Sequence, residues 1–130
     1  MRKTLKLFIV FFGVSLFAVE AQAQNEPEDL MDSLAYQKAS MIRQQLVAGA
    51  DFAAMAKRFS ADPGSRERGG EIGYMAPGSL VEPYWNAAYD LEVGEMSEPI
   101  KSEYGYHIIE VLGKKGGFIN TRHILISIQE

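Results

Sequence analysis

One continuous block, Asp51 to Val111, constrains what this chain can fold into. It places a short amphipathic helix before a turn-rich loop, then a Gly-Gly-acid-apolar-Gly strand, an aromatic helix opened by proline, and a strand built on Gly-Tyr-His-Ile-Ile. Each piece has a local physical cause. Asp51 can cap a helix over Phe52–Phe59 by accepting hydrogen bonds from the free N–H groups of its first turn. Phe52, Met55, Ala56 and Phe59 form the apolar stripe of that helix. Asp62-Pro63-Gly64 is strong turn chemistry, and Arg66, Glu67 and Arg68 form a solvated run. Glu71–Met75 alternates as a strand does. Pro83 suits the first turn of a helix whose body runs through Tyr84, Trp85, Ala87, Ala88 and Tyr89.

The flanks are read in the same way. Leu30 to Val47 reads as a helix, with Leu30, Leu34, Met41, Ile42 and Leu46 at helical spacing. Gly49 is its natural stop. Short strands are expected over Ser97–Lys101, Tyr106–Leu112 and Thr121–Ile128, separated by turns at Val93-Gly94-Glu95 and Gly113–Gly117. Helices clustered on a small sheet whose neighbouring strands are joined by short turns give an α+β fold with an antiparallel sheet.

Residues 1–23 read as a secretory signal peptide. Arg2, Lys3 and Lys6 make a basic start, Leu7–Val19 is apolar, and Ala21-Gln22-Ala23 is a small-x-small cleavage pattern. An uncleaved anchor is the competing reading; cleavage would leave no stable membrane insertion. Residues 24–29 are polar, contain Pro27, and read as a disordered leader. The net charge is −4, and removing the basic start makes the remainder more acidic. That excludes the electrostatic footprint of a nucleic-acid-binding protein. The absence of Cys excludes disulfides, thiolate metal sites and thiol nucleophiles.

Taken in order, the pieces of the central block resemble the parvulin (PpiC-type, or rotamase) family of peptidyl-prolyl isomerases. The resemblance implies a parvulin-like (FKBP-like) four-stranded antiparallel sheet with surrounding helices, over residues 30–112. It also implies site residues. Ile72, Leu80 and Tyr84 match the positions that line the family's proline pocket, where Leu or Met and Phe are usual. Asp62 matches a position held by Cys or Asp near the reacting amide. His107 matches the second of two facing histidines, and Tyr104 stands where a small hydroxyl or an aromatic residue is common. Each has a plainer reading: Ile72 and Leu80 as core, Tyr84 as a helix-face aromatic, Asp62 as a turn cap, His107 as a satisfied core histidine. A metal site is not expected, because His123 is the only other histidine and no carboxylate stands at ligand spacing. No cofactor is expected either.

The family's usual opening strand, which reads like Arg-His-Ile-Leu-Ile and carries the first histidine, is not found before Leu30. The same string stands at the far end, as Arg122-His123-Ile124-Leu125-Ile126. Two readings compete for residues 113–130. They are the opening of a second, truncated domain of a tandem SurA-like chaperone, or a permuted strand that folds back into the vacant central slot. In the second reading a hairpin through Gly113–Gly117 would pair Leu112 with Phe118, Glu110 with Asn120 and His107 with His123, so that the two histidines meet. The expected function is isomerisation of Xaa–Pro bonds in unfolded or extended exported polypeptides, in the periplasm, with outer-membrane protein precursors as clients. The rivals are a non-catalytic peptide-binding chaperone module and a fragment that does not fold alone.

Overall fold

The computed structural model describes residues 27–129, and all but the first turn of its first helix belong to one compact unit beginning at Met31. The signal peptide expected over residues 1–23 lies outside the described residues. The elements run α1 (Pro27–Val47), α2 (Phe52–Phe59), a 3₁₀ turn (Arg66–Arg68), β1 (Glu71–Met75), α3 (Glu82–Asp90), β2 (Ile100–Ser102), β3 (Gly105–Lys115) and β4 (Phe118–Ile126). The strands form one antiparallel sheet in the order β1-β4-β3-β2.

Local expectations hold where a side chain acts on its own backbone. The Ala54 N–H donates to the Asp51 carboxylate at 2.9 Å, and α3 opens with proline in its first turn. Three readings are corrected. The first helix begins at Pro27, inside the leader expected to be disordered over 24–29. Proline is tolerated in a first turn, and Glu28 and Asp29 there favour the helix dipole. The buried face of that helix is Ala35, Ala39 and Ile42, while Leu34 and Met41 stay exposed. The small alanines put the helix backbone close to the sheet, and the bulkier apolar residues are left outside. Finally, the strand expected over Ser97–Lys101 shrinks to Ile100–Ser102, with only an isolated bridge from Met96 to Glu110 before it.

Both faces of the sheet are covered. On one, Tyr106, Ile108, Ile124 and Ile126 pack against α1 and α2. On the other, Ile109, Val111 and Ile119 pack against Tyr84 and Ala88 of α3. The Asp32 carboxylate ties α1 to the sheet by accepting from the Tyr106 hydroxyl at 2.9 Å and from Lys101 at 2.6 Å.

The last strand does fill the central slot, but not in the expected register. The connection is a two-residue turn at Gly116-Gly117, both at positive φ, the geometry that matches the twist of paired strands. Lys115 therefore faces Phe118, Ile109 faces His123 and His107 faces Leu125, in place of the pairs expected above. Had this ladder run on unbroken from the turn, His107 and His123 would point to opposite sides of the sheet. A bulge prevents that: Val111 pairs with Thr121 and Gly113 with Asn120, so Leu112 has no partner. One extra residue reverses the alternation and returns both histidines to the α3 face as diagonal neighbours. Deleting Leu112 would remove the extra residue and the bulge together: Val111 and Gly113 keep Thr121 and Asn120 as partners, so the buried set of β3 is expected to stay on its faces. The urea midpoint, followed by Trp85 fluorescence, should stay close to that of the parent protein; a much lower midpoint would show that the bulge does more than set the alternation.

Candidate active site

A cavity of about 430 Å³ opens on the α3 face of the sheet. All seven residues singled out in the sequence line it: Asp62, Ile72, Leu80, Tyr84, Tyr104, His107 and His123. They come from four places. Asp62 stands in the loop after α2, Ile72 in β1, Leu80 and Tyr84 in and just before α3, and Tyr104, His107 and His123 in the β2–β3–β4 region. Ile72 is itself a bulge residue, unpaired between Glu71 and Gly73, which is one way a strand re-aims a side chain. Tyr84 is buried at 2% exposure, whereas Tyr104 is 56% exposed and forms the lip.

The floor is a hydrogen-bonded chain. The imidazoles of His107 and His123 lie with nearly parallel planes, 15° apart, and their Nδ1 atoms are 3.1 Å from each other. His123 Nε2 is 2.8 Å from Asp62 Oδ2 and 3.1 Å from Ser65 Oγ. His107 Nε2 is 2.6 Å from Ser102 Oγ. The carboxylate can only accept, and that fixes the direction of every bond for two neutral rings. His123 Nε2–H donates to Asp62, His107 Nδ1–H donates to His123 Nδ1, and the Ser102 hydroxyl donates to His107 Nε2. The Ser102 oxygen then accepts the Tyr104 N–H at 3.2 Å.

The electrostatics agree with neutral rings. Burial, and then the neighbouring His123, push His107 down to about 4, against a smaller opposing pull from Asp62. Burial likewise lowers His123, although the Asp62 carboxylate works against it. Burial would raise Asp62, but hydrogen bonds from Ser65 and His123 outweigh it and hold the carboxyl below its ordinary range. Burial raises the Tyr84 phenol, so it stays protonated.

The loop that holds Asp62 is built locally. Gly64 N–H donates to Asp62 Oδ1 at 3.2 Å, closing an Asx turn, and Ser65 Oγ–H donates to Oδ2 at 2.6 Å. Oδ1 thus closes the turn, while Oδ2 is shared between the Ser65 hydroxyl of the same loop and His123 of the cavity floor. Gly70 lets the loop touch β4. Its carbonyl accepts the His123 N–H at 2.9 Å, it sits at φ +87°, and a Cβ there would lie 2.4 Å from the His123 carbonyl oxygen.

Reasoning from sequence missed Ser65, Ser102 and Thr121. Ser65 and Thr121 are fully buried, and the Thr121 hydroxyl lies 2.8 Å from that of Tyr84. A serine three residues after Asp62 was the one available signal, since that spacing suits a loop cap. Nothing local marks the other two.

An antiparallel sheet with a paired-histidine floor, a carboxylate at one end and an apolar cavity above defines a parvulin-type domain. A family model described as the PPIC-type PPIase domain matches residues 12–115, and the chain belongs to that family. The match ends at Lys115, before the strand that supplies His123. The chain is similar to the foldase protein PrsA 4 of Bacillus cereus, 53% identical over 59% of this chain and 28% of the relative. It is similar to the chaperone SurA of Burkholderia lata, 41% identical over 68% of this chain and 19% of the relative. Among solved structures it resembles Pin from the archaeon Cenarcheaum symbiosum, with a TM-score of 0.55 and 46% identity over 60% of this chain and 80% of that one. The chain thus spans under a third of the foldase and chaperone relatives.

Proposed function

We propose that this chain is a peptidyl-prolyl cis-trans isomerase that acts on Xaa–Pro bonds of unfolded or extended polypeptides as a folding factor. The observation that carries the reading is the apolar cup of Ile72, Leu80 and Tyr84 set over the uncharged His107–His123 pair. Rotation about an Xaa–Pro bond faces a barrier of about 18–20 kcal/mol from amide resonance and takes tens to hundreds of seconds unaided. No bond must break, so a catalyst need only hold the twisted amide better than the planar one. Twisting reduces the charge separation of the amide, and an apolar cup that excludes water favours that state. Ile72, Leu80 and Tyr84 grip the proline ring. Asp62, His123 and His107 form a rigid polar floor beneath the turning amide, and Tyr104 covers the flanking chain at the lip.

The signal-peptide pattern of residues 1–23 supports export, with the periplasm as the site of action and precursors of outer-membrane proteins as clients. Among the described residues, no helix is long and apolar enough to cross a membrane.

A protease-coupled assay with plain Xaa–Pro peptides tests the activity. The protein should accelerate isomerisation, and Leu80→Ala should lower the acceleration about tenfold, the worth of one lost apolar contact. Phosphorylated peptides should gain nothing. Arg66 is paired with Glu67 at 3.3 Å and the Arg68 guanidinium donates to the Glu71 carbonyl at 3.0 Å, so neither is poised over the cavity. Folded protein that binds these peptides without accelerating them would be a chaperone module instead of an isomerase.

A further inference from the structure

We propose that Thr121 is a positioning residue for the proline cup, tethering the Tyr84 ring to β4 through the hydroxyl–hydroxyl hydrogen bond between them. The inference rests on the isomerase reading for its kinetic consequence, though not for its structural one.

The pair is out of place by packing alone. Thr121 is fully buried on the α3 face of β4, next in that row to Ile119 and opposite Val111, in an apolar cluster. Valine has the same branched shape and would suit a strand there equally well. A buried hydroxyl in such surroundings is costly unless it is paired, and the partner here is the Tyr84 hydroxyl, 2.8 Å away. Tyr84 in turn occupies a position where the resemblance above leads one to expect Phe. The Tyr84 hydroxyl is therefore not needed to line an apolar pocket, and its bond to Thr121 is what it does here.

Its geometry gives it a task. The Tyr84 ring stands perpendicular to both imidazoles, at 5.3 Å from His107 and 5.4 Å from His123. Thr121 lies two residues before His123 on the same face of the same strand. One hydrogen bond thus joins α3, which carries the aromatic wall of the cup, to β4, which carries part of its floor. Wall and floor are held as one body. Remove the Thr121 hydroxyl and the Tyr84 hydroxyl is left buried without that partner. Its nearest relief is to swing toward the cavity and its water, where it would occupy the space meant for the proline ring.

This account predicts an order that simple destabilisation does not. In Thr121→Val, kcat/KM should fall about tenfold, mostly through a raised KM. The double variant Thr121→Val/Tyr84→Phe removes both polar partners together and should recover most of the loss. Thr121→Ser keeps the hydroxyl and should behave like the parent protein; it serves if the valine variant does not fold. The ring-proton NMR shifts of His107 and His123 report the Tyr84 ring independently of turnover. They should move in Thr121→Val and return in the double variant. Parent-like KM and shifts in folded Thr121→Val would overturn the proposal, and so would a double variant as impaired as the single one or a Thr121→Ser variant as impaired as a valine. An inactive parent protein would sink the isomerase reading instead, and the histidine shifts would still decide whether the tether exists.

Discussion

A chain ended at Gly116 is expected not to fold cooperatively, even though it keeps the whole of the block that first suggested the fold. β4 is a central strand, paired with β1 on one side and β3 on the other. It contributes Ile119, Thr121, His123, Ile124, Leu125 and Ile126, all buried. Burying one large apolar side chain is worth about 1.5–3 kcal/mol, and a whole domain is stable by only about 5–15 kcal/mol. Four such residues outweigh the lower part of that range, before the backbone groups of β1 and β3 that would lose their partners are considered. The same cut removes the ring that joins His107 to Asp62, so no part of the site should survive in a native arrangement. Circular dichroism against urea, with amide exchange on residues 105–111, measures it. A sigmoidal transition near that of the full chain, with protected amides in β3, would mean that the rest of the sheet closes without β4.

Acidification should weaken the fold over a defined window. His107 is held near 4 in the folded protein against about 6.5 when free. Between those values the unfolded chain binds the proton and the folded one does not, so stability falls as pH drops from about 6.5 to about 4 and levels off below. Neither state is protonated above the window and both are below it. The full loss is on the order of 3 kcal/mol. His123 is lowered as well and acts in the same direction. Asp62 acts in the same direction but lower on the scale. Its folded-state value is depressed, so its stabilising contribution is complete above the ordinary carboxylate range and is lost only as pH falls below it. The physical cause of the histidine effect is visible in the floor of the cavity. With one proton shared between Nδ1 atoms 3.1 Å apart, a second proton there would set two N–H groups against each other. Urea midpoints measured between pH 7.5 and 4.5 should decline steadily across this range. A flat profile, or histidine resonances titrating near their ordinary value, would contradict buried neutral rings.

Much of the site was legible because its chemistry is tied to local pattern. Gly-Tyr-His-Ile-Ile could only be a strand with alternating faces, Asp62 stood in a turn that its own side chain closes, and Pro83 announced the helix that carries Tyr84. Even the meeting of the two histidines followed from a register that was wrong by two residues, because strands repeat every two residues and an even error keeps the face.

What the amino-acid order determined by itself was therefore the elements that caps, turns and alternation specify, and which side chains could share one face. What only the tertiary structure decided was the bulge at Leu112, the alanine face of α1 and the hydroxyl partners Ser65, Ser102 and Thr121. The reason is the same for all of these. A hydroxyl suits a loop, a strand or a cap equally, a small residue is buried only if something approaches it, and a bulge is chosen by the neighbouring strand. Thr121 finds Tyr84 from 37 residues away, and a contact of that reach exists only once both sides of the sheet have closed.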